Sequence, residues 1–451
     1  MTVRRLTLVV LLALGACSSD TAVPAGTPVA SSAAAPVPKA PAGPTGVEVA
    51  EVLRNVVPSL QSTGLDPKIA SVIGASGDVR NAWILSDLLR FADSDTFKPL
   101  VDAFERLARV ALGGGSNPWQ EVTDLLISWD TPAPPDYLVF KRDLFTSLEP
   151  RWKPIFDDPN ADIDWRFLSW GGVLPDDRLL GDKKTCVLGC IPALDDPLLT
   201  SAGEGTWYPD EAYVFGISIG GESVAFPKNI MEVHEMVNIS IGGRRVAIPY
   251  CTLCGSAQAY FTDQVSGVAR PLVMRTSGLL ALSNKVMYDL DTGSVFDTFT
   301  GRALSGPLHD AGVGLPMLTT VVSRWDEWRS DHPNTRIVAQ DGGLGKQYPA
   351  DPLRGRDDKG PIFPIRRSDA RLAVHTQVVG VIAADTSPVA FPVDAAQAEL
   401  RAGRSVSSAG VTLTLDGGGL VASIDGKAAA AHQSFWFAWA QFHPGTKLWS
   451  P

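Results

Sequence analysis

The chain has 451 residues, of which 45% are hydrophobic and 20% are charged, so it is long enough to bury a large core and to divide into two or three domains. Its 39 Lys and Arg residues stand against 49 Asp and Glu residues, which gives a formal net charge of -10 at pH 7. No cluster of basic residues interrupts this acidic balance, and nucleic acid is therefore excluded as an expected partner.

Residues 1–17 have the pattern of a lipoprotein signal peptide. Arg4 and Arg5 give a cationic start, Leu6 to Leu14 is apolar but too short to span a bilayer, and small residues lead to Cys17. A cysteine directly after such a site is typical of a lipobox; the alternative is an ordinary cleavable signal in which Cys17 is incidental. The pattern predicts that Cys17 carries two or three palmitate-type acyl chains, which anchor the protein in membrane lipid on the extracytoplasmic face of a bacterial envelope.

The next two segments differ sharply in composition. Residues 18–46 are rich in Ala, Pro and Ser, with almost no large apolar side chains, and predict a disordered tether. Residues 47–115 have helical periodicity instead, with two apolar stripes formed by Ala82, Leu85, Leu88 and Leu89 and by Val101, Phe104, Leu107, Ala108 and Ala111. We predict a helical module that resembles HEAT-like hairpins, with a helical cap that has no binding role as the alternative.

Residues 116–205 are predicted to form a loop-rich connector in which Trp and Asp side chains are scattered among prolines and glycines. The acidic stretch at 157–164 lacks the glycine and the closing glutamate of an EF-hand loop, so it predicts a solvated turn and not a calcium site. From Tyr213 onward, short β-type runs alternate with Gly-Gly turns. The predicted fold class is therefore α+β, with a helical N-terminal segment followed by a mainly β domain.

The β half contains an internal pseudo-repeat, predicted as residues 206–345 and 346–451. The pattern Trp325-x-x-Trp328-x-x-x-His332-Pro333-x-Thr335 recurs, with every spacing kept, from Trp436 to Thr446. Two Trp and a His at this spacing lie on one helix face, so the motif predicts a buried aromatic stripe that ends at proline; a ligand role for the His is the alternative. Only the first copy contains the reactive residues described next, and the second copy is predicted to be structural.

Reactive side chains are concentrated in the first copy. They lie in His234-Glu235, Asn238, Tyr250-Cys251-Thr252-Leu253-Cys254-Gly255 and Ser277-Gly278-Leu279-Leu280. Of the five cysteines, those other than Cys17 form two close pairs, Cys186/Cys190 and Cys251/Cys254. In an exported protein each pair can be a disulfide, a redox couple or half of a metal site.

These motifs resemble a bacterial and archaeal envelope family, the domain of unknown function 3179. Further matching pieces are Ala225-Phe226-Pro227, Met287-Tyr288-Asp289 with Thr292 and Ser294, Gly301, and Phe435-Trp436-Phe437-Ala438-Trp439. The resemblance covers roughly the C-terminal half and implies no established activity; it marks Ser277 and Asp289 as supporting positions. The chain departs from the family pattern at four positions near these motifs, Ile239, Leu290, Phe296 and Thr298.

The Cys251/Cys254 pair lies between two predicted strands, whereas a thioredoxin-like pair begins a helix. A strand, a Cys-x-x-Cys-Gly turn and a second strand form a knuckle that directs two thiolates toward one metal, with Gly255 free to take a positive φ. We predict His234 as the third ligand, with Glu235 or Asn238 orienting its imidazole. Two thiolates and one imidazole suit copper(I) or zinc.

Other readings of the same residues stay open. Cys251 and Cys254 can instead form a redox-active dithiol or an inert disulfide, and His234 can be a buried histidine paired with a carboxylate. Cys251 activated by His234 would make the protein a hydrolytic enzyme, although no Gly-x-Ser-x-Gly, phosphate-binding loop or His-Glu-x-x-His motif occurs. A binding or scaffold lipoprotein with an unknown protein or small-molecule partner is the remaining possibility.

Overall fold

A computed structural model describes residues 37–62, 64–92, 96–183, 186, 189–355, 361, 363–365 and 369–451. Cys17, the predicted signal peptide and residues 18–36 of the predicted tether lie outside the described residues. The chain divides into two compact units, Met1–Leu148 and Glu149–Pro451. Helices form the first unit and sheets form most of the second, so the predicted mixed α+β class is confirmed.

The described part of the first unit is helical. Two of its helices begin with a polar cap followed by proline: the Asp66 side chain accepts from Lys68 N–H, and the Asn117 side chain accepts from Gln120 N–H. The helices are α1 (Val47–Leu53), α2 (Val56–Ser62), α3 (Pro67–Ala75), α4 (Ala82–Phe91), α5 (Phe97–Ala108), α6 (Pro118–Ser128) and α7 (Tyr137–Leu148).

The predicted apolar stripe of α4 is buried in the core of this unit, and in α5 the residues Phe104, Leu107 and Ala108 are buried as well. Ala111 lies beyond the end of α5 and is exposed, because the helix ends in a left-handed residue at Arg109. The structure places α6 and α7 in the first part of the segment predicted as a loop-rich connector, so the helical region continues well past residue 115. The likeness to HEAT-like hairpins stays a prediction.

Among the described residues, no helix combines the length and the apolar character needed to cross a membrane. The second unit contains short helices, which are α8 (Lys153–Phe156), α9 (Lys228–His234), α10 (Pro307–Asp310), α11 (Trp325–Asp331), α12 (Val393–Arg401) and α13 (Trp436–Phe442).

The strands of the second unit are short and mostly antiparallel. They are β1 (Leu168–Trp170), β2 (Leu194–Asp195), β3 (Leu199–Ser201), β4 (Tyr213–Ile219), β5 (Glu222–Pro227), β6 (Met236–Ile241), β7 (Arg244–Cys251), β8 (Ser256–Ala257), β9 (Ala259–Phe261), β10 (Met274–Ala281), β11 (Asn284–Asp289), β12 (Val295–Asp297), β13 (Ala303–Ser305), β14 (Met317–Leu318), β15 (Val321–Arg324), β16 (Arg336–Val338), β17 (Gln377–Ile382), β18 (Pro388–Pro392), β19 (Val406–Ser408), β20 (Val411–Asp416), β21 (Gly419–Ile424), β22 (Lys427–Ala429), β23 (Ala431–Phe435) and β24 (Lys447–Leu448).

These strands form sheets in the orders β1-β10-β11-β12-β13, β14-β9-β7-β6-β2, β15-β4-β5-β16-β3, β23-β17-β18-β24 and β19-β20-β21-β22, with β8 paired to β7. The order β15-β4-β5-β16 and the order β23-β17-β18-β24 have the same strand directions. In each, the first two pairings are antiparallel and the third is parallel. The helices α11 and α13 follow the corresponding strands β15 and β23 in the chain.

The prediction that the repeated Trp and His motif forms a buried helical stripe is confirmed. The four tryptophans of α11 and α13 are at most 1% exposed. Trp328 Nε1–H donates to Thr335 Oγ1 at 3.0 Å, and Trp439 Nε1–H donates to Thr446 Oγ1 at 2.9 Å. Each helix ends at the histidine before the proline, because proline disfavours helical backbone in the residue that precedes it.

Candidate functional site

The Cys-x-x-Cys segment forms a tight turn between two paired strands. Strand β7 ends at Cys251, a 3-10 turn covers Thr252–Cys254, and the chain returns along β8. Gly255 has a φ of +56°, and a Cβ there would lie 2.9 Å from the Phe435 ring. Only glycine combines this left-handed backbone with so close a neighbour. The predicted strand, turn, strand geometry is confirmed.

Both cysteines of this turn carry free thiols, and both are buried, Cys251 with 5% and Cys254 with 0% of its surface exposed. Their sulfurs face the same carbonyl, because Ser283 O lies 3.9 Å from Cys251 Sγ and 3.3 Å from Cys254 Sγ. Gln441 Nε2–H donates to Ser283 Oγ at 2.7 Å and fixes this hydroxyl beside the pair. The two thiols therefore lie on one side of the turn, as the spacing predicts.

A buried lysine and a half-buried glutamate flank the thiols. The Lys285 ammonium on β11 donates to Glu235 O and lies 3.4 Å from Glu235 Oε2. Thr252 Oγ1–H, inside the Cys-x-x-Cys turn, donates to Glu235 Oε1 at 2.9 Å. Burial lowers the pKa of Lys285, although Glu235 and the thiols oppose this shift. Glu235 is thus in the site, bonded to the turn and to the lysine.

The two thiols have pKa values on opposite sides of the ordinary value. Burial raises the pKa of Cys251, but the hydrogen bond from Cys254 and the Lys285 ammonium outweigh burial and bring its pKa below the ordinary value. Burial, together with the neighbouring Cys251 sulfur, raises the pKa of Cys254 well above its ordinary value. The Lys285 ammonium thus favours the thiolate form of Cys251, whereas burial favours the protonated form of Cys254.

His234 does not join the cysteines. Its Nδ1 lies 2.7 Å from Pro192 O and its Nε2 lies 2.7 Å from Tyr348 Oη. Because a carbonyl oxygen only accepts, Nδ1 carries the proton, and the Tyr348 hydroxyl donates to Nε2. Burial lowers the pKa of His234 to about 4, so the imidazole is neutral.

Within the described residues, the one group of three or more His, Cys, Asp or Glu with mutually close ligand atoms is Asp176, Cys186 and Cys190. The predicted three-ligand centre of Cys251, Cys254 and His234 is therefore not assembled. The physical reason is that Glu235, directly after His234, has a left-handed backbone with a φ of 52°, which ends α9. The adjacent residues His234 and Glu235 therefore have different partners: His234 contacts Pro192 and Tyr348, and Glu235 contacts the cysteine turn.

Asn238, Ser277 and Asp289, the other predicted supporting residues, hold backbone. Asn238 Nδ2–H donates to Met274 O at 3.0 Å, and its Oδ1 accepts from Met274 N–H, which joins β6 to β10. Ser277 Oγ–H donates to Val286 O at 2.5 Å. Asp289 accepts from Val273 and Thr292 N–H groups at the turn after β11. None of these contacts involves His234 or the thiols, so the predicted orienting role of Asn238 is wrong.

The second cysteine pair is a disulfide, Cys186–Cys190. Asp176 Oδ1 lies 3.7 Å from Cys190 Sγ, but its carboxylate also accepts from the Arg178 guanidinium at 2.7 Å and from Ala193 N–H at 2.8 Å. The two sulfurs are bonded to each other, and the Asp176 carboxylate already accepts hydrogen bonds from Arg178 and Ala193. This arrangement favours a structural disulfide beside a buried ion pair.

Three residues of the thiol site are absent from the sequence prediction: Lys285, Ser283 and Gln441. The available signal was Lys285 itself, a charged residue in the predicted β-type run Lys285 to Tyr288, since a lysine that is buried requires a partner. Gln441 lies in α13, in the copy predicted to be only structural, and that copy also supplies Trp436 and Trp439 to the apolar cluster around the cysteines. The C-terminal segment predicted as the second copy therefore forms part of the wall of the site.

The fold and the site together define a mixed α+β protein with a buried dithiol on a strand knuckle. Residues 188–427, more than half of the 451-residue chain, match the family described as "Protein of unknown function (DUF3179)". The chain belongs to this family. No curated protein matches the chain. No solved structure matches it either.

Proposed function

We propose that this protein is an envelope lipoprotein whose Cys251 and Cys254 form a thiol–disulfide redox centre. The observation that carries the proposal is the pair of free thiols on one tight turn, both facing Ser283 O, with the buried Lys285 beside them. A cation near one thiol stabilises its thiolate, which is the nucleophile in disulfide exchange. The small exposed fraction of the pair belongs to Cys251, so Cys251 is the attacking sulfur and Cys254 the resolving one.

The exchange proceeds in two steps with a disulfide of a small molecule or of a partner protein. The Cys251 thiolate attacks one sulfur of that disulfide, forms a mixed disulfide and releases a thiolate. Cys254 then loses its proton and attacks Cys251 Sγ, so that the second thiolate leaves and the Cys251–Cys254 disulfide remains. Two electrons pass to the partner. Glu235, which is bonded to Lys285 and Thr252 and acts electrostatically on Cys254, is the carboxylate to which we assign the Cys254 proton.

The redox reading is preferred over the predicted copper or zinc site because of where His234 lies. Both of its ring nitrogens are occupied, by Pro192 O and by Tyr348 Oη, and zinc would then have only two thiolate ligands on the turn. Two thiolates alone suit copper(I) by softness, so copper binding is a distinct outcome of the test below.

We expect the Cys251/Cys254 pair of the purified protein to show a two-electron transition in thiol–disulfide buffers of graded potential, measured by alkylation of free thiols and mass spectrometry. Cys254→Ser abolishes the transition. The double variant Cys186→Ser/Cys190→Ser, at the other pair, keeps it. A pair that stays reduced in every buffer, or one that holds an equivalent of copper(I) or zinc through the oxidising buffers, would contradict the redox proposal.

The alkylation rate of Cys251 also tests the role of Lys285. Lys285→Met removes the cation that lowers the pKa of Cys251, so alkylation of Cys251 should slow at neutral pH and its pH profile should move upward. Lys427→Met, at an exposed lysine of β22, is the matched control and should leave the profile unchanged.

We also propose that lipidated Cys17 anchors the protein at the extracytoplasmic face of the membrane. The cationic start, the short apolar run and the small residues before Cys17 support this proposal. The parent protein should partition into detergent, and Cys17→Ala should release it or leave its signal unprocessed. Normal processing together with unchanged detergent partitioning of Cys17→Ala would refute the anchor.

We further infer that residues 213–338 and 377–448 are diverged copies of one structural unit. The equal order and direction of their strands and the equivalent Trp328–Thr335 and Trp439–Thr446 hydrogen bonds support this inference. The first copy carries the thiols and the second encloses them, and the variants at Gly216 and Gly380 in the Discussion test their equivalence.

A further inference from the structure

A cleft of about 960 Å³ lies beside α9, away from the thiol turn. Its walls include Trp207 and Tyr208, whose rings are 5.3 Å apart, and the loop that carries Lys346 and Tyr348. The Tyr208 hydroxyl donates to Tyr213 O at 2.6 Å, which holds this ring in place. The volume falls within the range of about 300 to 1,000 Å³ that small-molecule sites occupy.

Asn229, a residue that lines this cleft, has a buried acceptor without a partner. Asn229 is 9% exposed, and its Nδ2–H donates to Pro349 O at 3.0 Å. Because a carbonyl only accepts, this bond fixes which atom of the amide is Oδ1. That Oδ1 has no hydrogen-bond partner within the described part of the chain. A buried acceptor left without a donor costs about 1–3 kcal/mol, so the site favours a bound molecule that supplies one.

A second acceptor is held in the cleft by His234. The neutral imidazole, with its proton fixed on Nδ1 by Pro192 O, accepts a hydrogen bond from the Tyr348 hydroxyl at Nε2. The Tyr348 oxygen therefore keeps its lone pairs for a donor from a ligand. Burial raises the pKa of Tyr348 to about 12, so the group remains a neutral phenol. This is the role that the structure gives to the histidine of the His-Glu motif.

The rim of the cleft carries a positive charge without a counterion. Lys346 is exposed, its Nζ lies 5.5 Å from the centroid of the Tyr348 ring, and it makes no ion pair with any described residue. The other lysine of the cleft, Lys228, is paired with the buried Glu232. The residues that line the cleft thus provide two acceptors, an aromatic wall and the Lys346 cation, and the Asp341 carboxylate among them already accepts from Gly343 and Gly345 N–H.

We propose that this cleft binds an acidic saccharide. Sugar hydroxyls donate to Asn229 Oδ1 and Tyr348 Oη, the apolar C–H face of the ring packs on Trp207, and a carboxylate or phosphate on the sugar meets Lys346. A neutral apolar ligand would leave both acceptors unfilled, and a small anion without hydroxyls would use only the rim. The site is independent of the dithiol, so either proposal stands if the other fails.

The test is calorimetric titration of the full protein with a matched set of probes: a glucuronate-containing disaccharide, its carboxyl methyl ester, glucose 6-phosphate, and acetate. We expect the acidic disaccharide or the sugar phosphate to bind, the ester to bind about 3- to 5-fold more weakly than the acid, and acetate not to bind. Binding by glucose 6-phosphate but not by the glucuronate would assign the anionic group as phosphate.

Two variants connect binding to the named residues. Lys346 is exposed, so Lys346→Met should not affect folding. It should abolish the difference in affinity between the acidic disaccharide and its ester, whereas Lys427→Met should keep that difference. Asn229→Ala should lower the affinity for the acidic disaccharide about 10-fold, which is the loss expected for one hydrogen bond to a buried acceptor. The proposal is overturned if no saccharide probe binds. It is also overturned if the parent and Lys346→Met bind the acidic disaccharide with equal affinity and the parent binds the ester as tightly as the acid.

Discussion

Arg275→Met should lower the free energy of unfolding by about 3–5 kcal/mol, measured by urea denaturation followed through tryptophan fluorescence. The Arg275 side chain is 0% exposed and forms two hydrogen bonds with Asp195, at 2.9 and 2.7 Å. Its Nε–H also donates to Arg178 O at 3.1 Å. Removing the guanidinium leaves the Asp195 carboxylate buried without its cation. An unpaired buried charge strongly lowers the free energy of unfolding.

Arg324→Met is the matched control, because its ion pair with Asp326 is exposed and should contribute about 1 kcal/mol or less. Adding Asp195→Asn to Arg275→Met should restore much of the lost stability, since the remaining buried group is then neutral and can still accept from Asn238 Nδ2–H. A loss in Arg275→Met no larger than that in Arg324→Met would contradict this account of the buried pair.

Gly380→Ala and Gly216→Ala should each lower the free energy of unfolding by about 3 kcal/mol. A Cβ at Gly380 would lie 2.1 Å from the ring of Trp439, and one at Gly216 would lie 2.4 Å from the ring of Trp328. Both rings are buried and are held by hydrogen bonds to threonine, so they cannot move aside without breaking that bond.

The control for both variants is Gly314→Ala, where an added Cβ meets nothing within 4 Å. Its effect should stay within about 0.5 kcal/mol by thermal or urea unfolding. The proposed repeat pairs the strands of the two glycines, β4 and β17, so unequal losses would argue against it. Equal losses would support it.

The features that were predictable from the sequence are those set by local spacing. The stripe of α4, the strand knuckle from Cys251 to Gly255 and the helical Trp motif each depend on residues within about ten positions of one another, where the period of helix or strand decides what lies on one face. The helices α6 and α7 were not predicted because residues 116–205 as a whole, with tryptophans scattered among Asp, Pro and Gly, have the composition of loops, although Asn117-Pro118 is a helix start signal.

The chemistry of the candidate site was less predictable because it depends on distant contacts and on one backbone angle. His234 and Glu235 are neighbours in sequence, and nothing local indicates that the left-handed residue at Glu235 separates their roles. Lys285 and Gln441 reach the thiols from other strands and from the second copy. Such contacts follow from sheet order, which sequence periodicity does not specify.

The wall around the thiols also sets an order of events during synthesis. Gln377, Phe435 and Gln441, which contact Gly255 or fix Ser283, are made long after Cys254, because a chain grows from its N-terminus. Until the C-terminal part has been made and has folded, the cysteine turn lacks these neighbours and is open to solvent. The surroundings of the nascent chain therefore set the redox state in which the pair is first enclosed, and any later exchange by the folded protein starts from that state.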